Sequence, residues 1–214
     1  MISSIDLFCG AGGLTLGLKR NGIDCKIAVE IEKDFAETFK LNNKNALTIR
    51  DDIANICFLK LLKNKEIKNI DLVCGGPPCQ GFSTVGKKDE KDERNSLFWQ
   101  FLRAVEEVNP KIVLFENVSG FKKLYKGIAY HTLVSELKNK GYEVKSEIMD
   151  AANFGAPQHR KRTIVIGYKK NLKFEFPKVT HAKEKTLLTE KFLTLRDAIS
   201  CLLYTSPSPR DKTV

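Results

Sequence analysis

The sequence predicts an α/β fold built on a doubly wound, Rossmann-like parallel sheet. Three observations predict it. Short apolar runs alternate with helical stretches along most of the chain. The first run stops at a glycine cluster, Gly10-Ala11-Gly12-Gly13. The second and third runs close on acids, at Glu30 and at Asp51-Asp52. Parallel neighbours need a crossover between them, and the alternation of strand and helix supplies it.

Ile2 to Phe8 reads as a buried strand that ends in a tight turn. Leu14 to Arg20 reads as a helix ending near Asn21-Gly22. Ile27-Ala28-Val29 is a second strand. From Lys33 to Leu41, Phe35, Ala36 and Phe39 are spaced among charges, as in an amphipathic helix. Leu47 to Ile49 is a weak third strand, and Asp71 to Cys74 a fourth, stopped by Gly75-Gly76-Pro77-Pro78. The polar stretch from Gly86 to Asn95 predicts an exposed, mobile loop. Leu97, Phe98, Phe101, Leu102, Val105 and Val108 form a helical stripe. Ile112 to Phe115 is a fifth strand. Ala129, Leu133, Val134 and Leu137 mark a further helix, with Gly141 as its C-cap. Val144 to Met149 and Thr163 to Tyr168 are the last strands, and no internal repeat is visible.

Composition narrows the function classes. The chain has 214 residues, 42% hydrophobic and 29% charged, which excludes a disordered protein and allows a core without disulfide or metal staples. No run of about eighteen apolar residues appears, so no membrane span is expected. Met1-Ile2-Ser3-Ser4 does not open a secretory signal. The net charge of +10 favours a polyanionic partner. None of the six cysteines is paired at Cys-x-x-Cys spacing, and His131, His159 and His181 lie far apart. No metal site is expected, and a reduced, cytoplasmic protein is. Cys9, Cys25, Cys57 and Cys74 read as buried structural cysteines.

Two segments carry chemistry. A glycine turn at the carboxyl end of the first strand lets backbone approach a ligand, and Glu30, about twenty residues on, can accept two ribose hydroxyls. Asp52 is placed to read an adenine amino group. This pattern alone does not separate NAD from other adenosine cofactors. The second segment is Gly75-Gly76-Pro77-Pro78-Cys79-Gln80-Gly81-Phe82-Ser83. Its prolines fix the backbone just before Cys79, and its glycines allow close approach of a substrate. A cysteine at the sheet's ligand-binding edge suits a nucleophile.

"DLFCGAGGLTLGL", "GGPPCQGFS", "ENV" and "QHRKR", in that order, closely resemble the C5-cytosine DNA methyltransferase family over nearly all of residues 1–200. The resemblance implies an S-adenosylmethionine-dependent methyltransferase sheet, with S-adenosyl-L-methionine as cofactor. Phe8, Gly10 and Gly12 match residues lining the methionine and adenosine pocket. Glu30 matches the acid on the ribose, and Asp52 and Ile53 the pair on the adenine. Pro78 and Leu97 match residues beside the cofactor. Cys79 matches the nucleophile that attacks cytosine C6, and Glu116 the carboxyl group that serves the ring N3. Arg160 and Arg162 match arginines that position the base and offset charge on it. Gln80, Ser83, Asn117 and Val118 fall in motifs that face the substrate, and Arg94 ends a loop (Gly81 to Arg94) that would close over DNA. The target base must be flipped out of the stack.

The implied partners are double-stranded DNA and a cognate restriction endonuclease, with the protein itself a monomer that uses no membrane. Three alternatives stay open: an RNA cytosine-C5 methyltransferase, a nicotinamide-dependent oxidoreductase, and a non-catalytic cofactor-binding fragment. Residues 1–200 are expected to form the catalytic domain. Residues 201–214 contain "CLLYTSPSPRD", which matches the translation of a sequencing adapter and reads as a non-native tail. On that reading the target-recognition domain is missing and the fragment is inactive or weakly active.

Overall fold

The chain opens on Ile2-Ser3-Ser4-Ile5-Asp6-Leu7, which becomes an inner strand of a seven-stranded sheet. Strand β1 (Ile2–Leu7) is buried from Ser3 onward and pairs in parallel with β2 (Ile23–Val29) and β4 (Leu72–Gly75). The computed structural model describes residues 2–78 and 93–200, with backbone alone at 93–96 and 125. β2 pairs in parallel with β3 (Leu47–Ile49), and β4 with β5 (Ile112–Val118). The strand order is β3-β2-β1-β4-β5-β7-β6, where β6 is Tyr142–Asp150 and β7 is Lys161–Lys169.

The expectation of a wholly parallel sheet needs one correction. β7 runs antiparallel to β5. The N–H of Lys169, at the end of β7, donates to the carbonyl of Lys111, just before β5. At the other end Thr163 Oγ1 donates to the carbonyl of Val118 at 3.1 Å. The reason is the connection. β6 and β7 are joined by residues 151–160, with only a short 3-10 turn (Ala151–Phe154) between them. A parallel return would need a longer crossover.

Helices follow the strands: α1 (Gly13–Arg20), α2 (Lys33–Asn42), α3 (Phe58–Asn64), α4 (Glu93–Val108) and α5 (Ile128–Asn139). α4 starts at Glu93, so Glu93 to Asn95 belong to a helix and not to the expected loop. Glu and Arg favour helix intrinsically, and polarity alone does not make a loop. The stripe on α4 buries Phe98, Phe101, Leu102 and Val105. Phe115 of β5 sits among Phe98, Phe101 and Phe121, with ring centroids 6.3, 5.4 and 5.1 Å away. These edge-on and tilted rings form the centre of the core.

The described residues divide into two compact units. One comprises residues 2–147 and 163–174, and the other residues 148–162 and 175–200. The second holds the turn after β6, a short parallel pair, β8 (His181–Ala182) with β9 (Glu190–Lys191), and α6 (Leu195–Ile199). Thr194 and Asp197 close a capping box on α6. Residues 201–214, and with them the expected foreign tail, lie outside the described residues.

Candidate active site

Register places the site. Leu7, Val29, Ile49, Gly75 and Phe115 lie side by side across β1 to β5. One residue further on stand Phe8, Glu30, Gly76 and Glu116. The strand order reverses between β1 and β4, which opens a crevice at their carboxyl ends. A cavity of about 400 Å³ occupies it. Phe8, Gly10, Glu30, Asp52, Ile53, Pro78 and Leu97, all expected from the sequence, line it. Val29, Ile31, Glu32, Phe35, Asp51 and Gly76 complete the lining and were not among the residues expected to hold a cofactor. Ile31 and Phe35 are more than half exposed, at 58% and 52%, a signal that only the structure supplies.

The turn after β1 is bent through the left-handed region. Phe8 holds φ +57° and Gly10 φ +54°. A left-handed backbone costs a non-glycine residue on the order of 1 kcal/mol or more, and such strain concentrates at functional sites. The turn is held from below by Glu30. Its Oε2 accepts the N–H of Gly10 at 2.8 Å and its Oε1 accepts the N–H of Glu32 at 3.0 Å. Glu30 is buried, yet each carboxylate oxygen keeps a further lone pair for a hydroxyl. Gly12 does not line the cavity. A Cβ there would stand 2.9 Å from the Phe39 ring, so this glycine lets α2 close on the turn.

The opposite wall is the 3-10 turn Ile53–Asn55. Asp52 Oδ1 caps it by accepting the N–H of Ala54 at 2.9 Å. Asp51 Oδ1 accepts from the N–H of Asp52 and from Asn55 Nδ2 at 2.7 and 2.8 Å. Ile53 is buried against the core, so the apolar floor of the cavity is continuous with it.

Beneath the glycine turn lies a buried acid that sequence reasoning missed. Asp6 is 1% exposed and accepts a 2.5 Å hydrogen bond from Thr15 Oγ1, joining β1 to α1. Desolvation pushes its carboxyl up to about 6. Burial, with the Asp6 charge next in order, also raises Cys9, Cys25 (to about 11) and Cys74. These three thiols are kept protonated and inert, as the sequence led one to expect. Cys57 departs from that expectation. It is exposed, because it sits at the start of α3, outside the packed layer.

The second edge of the site is the end of β5. A Cβ on Gly76 would stand 2.8 Å from Glu116 Oε2, so the glycine makes room for this carboxyl group. Asn117 is buried and spends its amide inside the protein. Its Nδ2 donates to the Pro77 carbonyl at 2.9 Å and its Oδ1 accepts the N–H of Val118 at 2.9 Å. It anchors the Pro77-Pro78 segment and keeps a second N–H and a second lone pair. Val118 is exposed. Cys79, Gln80 and Ser83 lie outside the described residues, as does the side chain of Arg94.

Arg160 and Arg162 belong to the second unit. Their spacing of two along an extended segment puts them on one face. The Arg160 N–H donates to Asp150 Oδ1 at 2.9 Å, and His159 Nδ1 lies 2.9 Å from Asp150 Oδ2. His159 and these backbone donors hold the Asp150 carboxyl below its usual range. Arg162 Nη1 donates to the Lys161 carbonyl at 2.9 Å. Among the described residues no group of His, Cys, Asp and Glu is arranged to hold a metal ion.

Comparison with known proteins agrees with this geometry. Type II methyltransferase M1.HphI of Haemophilus parahaemolyticus is 35% identical over 87% of this chain and 51% of its own length. Type II methyltransferase M.AquIA of Picosynechococcus is 35% identical over 95% of this chain and 90% of its own. A crystal structure from E. coli, described as a prophage-encoded DNA modification methyltransferase, superposes with a TM-score of 0.77 at 31% identity. It covers 97% of this chain and 56% of that one. The chain thus spans about half the length of M1.HphI and of the E. coli protein. The sequence profile of the C-5 cytosine-specific DNA methylases, which use S-adenosylmethionine as methyl donor, matches residues 2–210, and the chain belongs to that family.

Proposed function

We propose that the protein transfers a methyl group to C5 of a flipped-out cytosine in DNA, through a covalent bond between Cys79 and C6. The observation that supports it best is the shared edge of β1, β2, β4 and β5. One side holds a cavity with an apolar slot (Phe8, Ile53, Leu97) and carboxylates at Glu30 and Asp52. The other holds Glu116 beside Gly76, with Asn117 bonded to the carbonyl of Pro77, two residues before Cys79 in the sequence. The residues fit an adenosyl cofactor: the slot takes the purine, Glu30 the ribose hydroxyls and Asp52 the adenine amino group. When bound, S-adenosylmethionine supplies an electrophilic methyl group.

The chain's own residues do the rest. Cytosine C5 is a poor nucleophile until a thiolate adds to C6. Cys79 forms that bond while Glu116 hydrogen-bonds or protonates the ring N3, so the electron pair arrives at C5 as an enamine. After methylation the C5 proton leaves to solvent and the Cys79–C6 bond breaks by elimination. Arg160 or Arg162 donates to the cytosine O2 and offsets charge on the ring. Double-stranded DNA is the substrate, and the protein acts in the cytoplasm as a monomer beside a cognate restriction endonuclease. No helix among the described residues is long and apolar enough to cross a membrane.

Methyl transfer to matched DNA and tRNA substrates tests the proposal. Labelling of DNA that disappears in Cys79→Ala supports it, and labelling of neither substrate favours the non-catalytic, cofactor-binding alternative. Labelling of tRNA alone moves the protein to the RNA enzymes, and transfer that survives Cys79→Ala removes the covalent step.

A further inference from the structure

We infer that Arg103 is a positioning residue for the adenine wall of the cofactor cavity, working as a clamp with Glu107. The wall, residues 52–58, joins β3 to α3 and has no strand neighbour of its own. Arg103, on α4, reaches across to it. Its Nη2 donates to the Ile53 carbonyl at 2.7 Å and its Nη1 to the Ile56 carbonyl at 2.9 Å. Glu107, one turn along, accepts from Arg103 Nη1 at 2.5 Å and takes the N–H of Phe58 at 2.6 Å. That N–H is one of the unpaired donors at the start of α3. Gln100 Oε1 accepts from Arg103 Nε at 2.5 Å, and the guanidinium lies 5.9 Å from the Phe58 ring centre.

Both Nη atoms of the guanidinium reach carbonyls three residues apart, while Nη1 also bonds Glu107 and Nε bonds Gln100. A lysine point charge cannot reproduce that geometry. The pair is also shielded, with side chains 31% and 17% exposed, so water competes less for these bonds. Ile53, whose carbonyl is held, lines the cavity together with Leu97 from the same helix α4. α4 therefore sets both sides of the slot: Leu97 directly, and the Asp52-Ile53 wall through Arg103. The clamp controls how well the slot recognises the purine, in addition to holding the fold.

This inference rests on the adenosyl reading of the cavity, and binding measurements separate the two. The test is calorimetric titration of the full chain with S-adenosylhomocysteine and with S-inosylhomocysteine, whose purine carries an oxo group in place of the amino group. Wild type should prefer the adenosine compound. Arg103→Ala should bind it about tenfold more weakly and lose most of the preference, with Arg103→Lys between the two. A folded Arg103→Ala that keeps both affinity and preference overturns the inference. So does an equal loss for both ligands, which a merely structural role would give. If Arg103→Ala does not fold, as judged by its melting transition, the same outcomes are read from Arg103→Lys. A wild type that binds neither ligand overturns the adenosyl reading, and the clamp's role with it.

Discussion

Glu30 accepts two backbone N–H groups and still borders the cavity, so its charge holds the turn and, on the proposed function, also serves a ligand. Glu30→Gln would present an amide N–H₂ to one of those N–H donors. S-adenosylhomocysteine binding should weaken by about tenfold to a hundredfold, the worth of a charged hydrogen bond. Calorimetry on Glu30→Gln checks this, and an unchanged affinity would free Glu30 of the role. Asp6 gives a pH prediction. Its pKa is raised to about 6 in the folded protein, so the native state binds more protons than the unfolded chain between pH 4 and 6. Stability contributed by Asp6 is therefore full below that window and lost as pH rises through it. Asp6→Asn, which can still accept from Thr15, should gain stability over wild type by up to roughly 3 kcal/mol above pH 6, and nothing near pH 4. Urea melts across that range would show the difference. Asp71, Asp150 and Asp197 are shifted the other way, so their contributions fade only at more acid pH. Glu30 and Asp52 were legible because an acid after a strand has one obvious place. Asp6 and Arg103 were not, because nothing local marks a carboxyl or guanidinium whose partners come from other elements.

At the scale of elements, β4 and β5 meet where Gly76 leaves space for Glu116. Gly76→Ala should displace that carboxyl group and reduce methyl transfer by tenfold or more, while the melting temperature changes little. Loss of the fold instead would make the glycine a matter of packing alone. Phe115 lies fully buried under the same edge, against three other rings. Phe115→Ala should cost about 3–5 kcal/mol in denaturant titrations. β1, α1, α2, β3 and β4 were readable to within a residue or two, since each pairs an apolar run with a glycine or acid stop. Helix α3, the β8–β9 pair and α6 were not predicted, and three further features were misread. β2 begins at Ile23, ahead of its apolar end. α4 begins inside a charged run, and the direction of β7 depends on how little chain separates it from β6.

For the whole molecule, the +10 charge favours a polyanionic partner, which on the proposed function is DNA. DNA affinity should fall steeply with salt, as counterion release requires, and a salt titration of binding would show a slope near zero if the basicity were only compositional. The family match over residues 2–210 agrees with what the motifs implied. The Pro-Pro-Cys loop was the most informative segment of the sequence, yet Cys79 lies outside the described residues. The structural argument therefore stands on what surrounds that loop: Glu116, Gly76, Asn117 and the cavity. The most direct measurement is calorimetric titration of the chain with S-adenosylhomocysteine against NADH. The account predicts saturable binding of S-adenosylhomocysteine, weakened by Glu30→Gln, and none of NADH. Tight binding of NADH with no response to S-adenosylhomocysteine would contradict it.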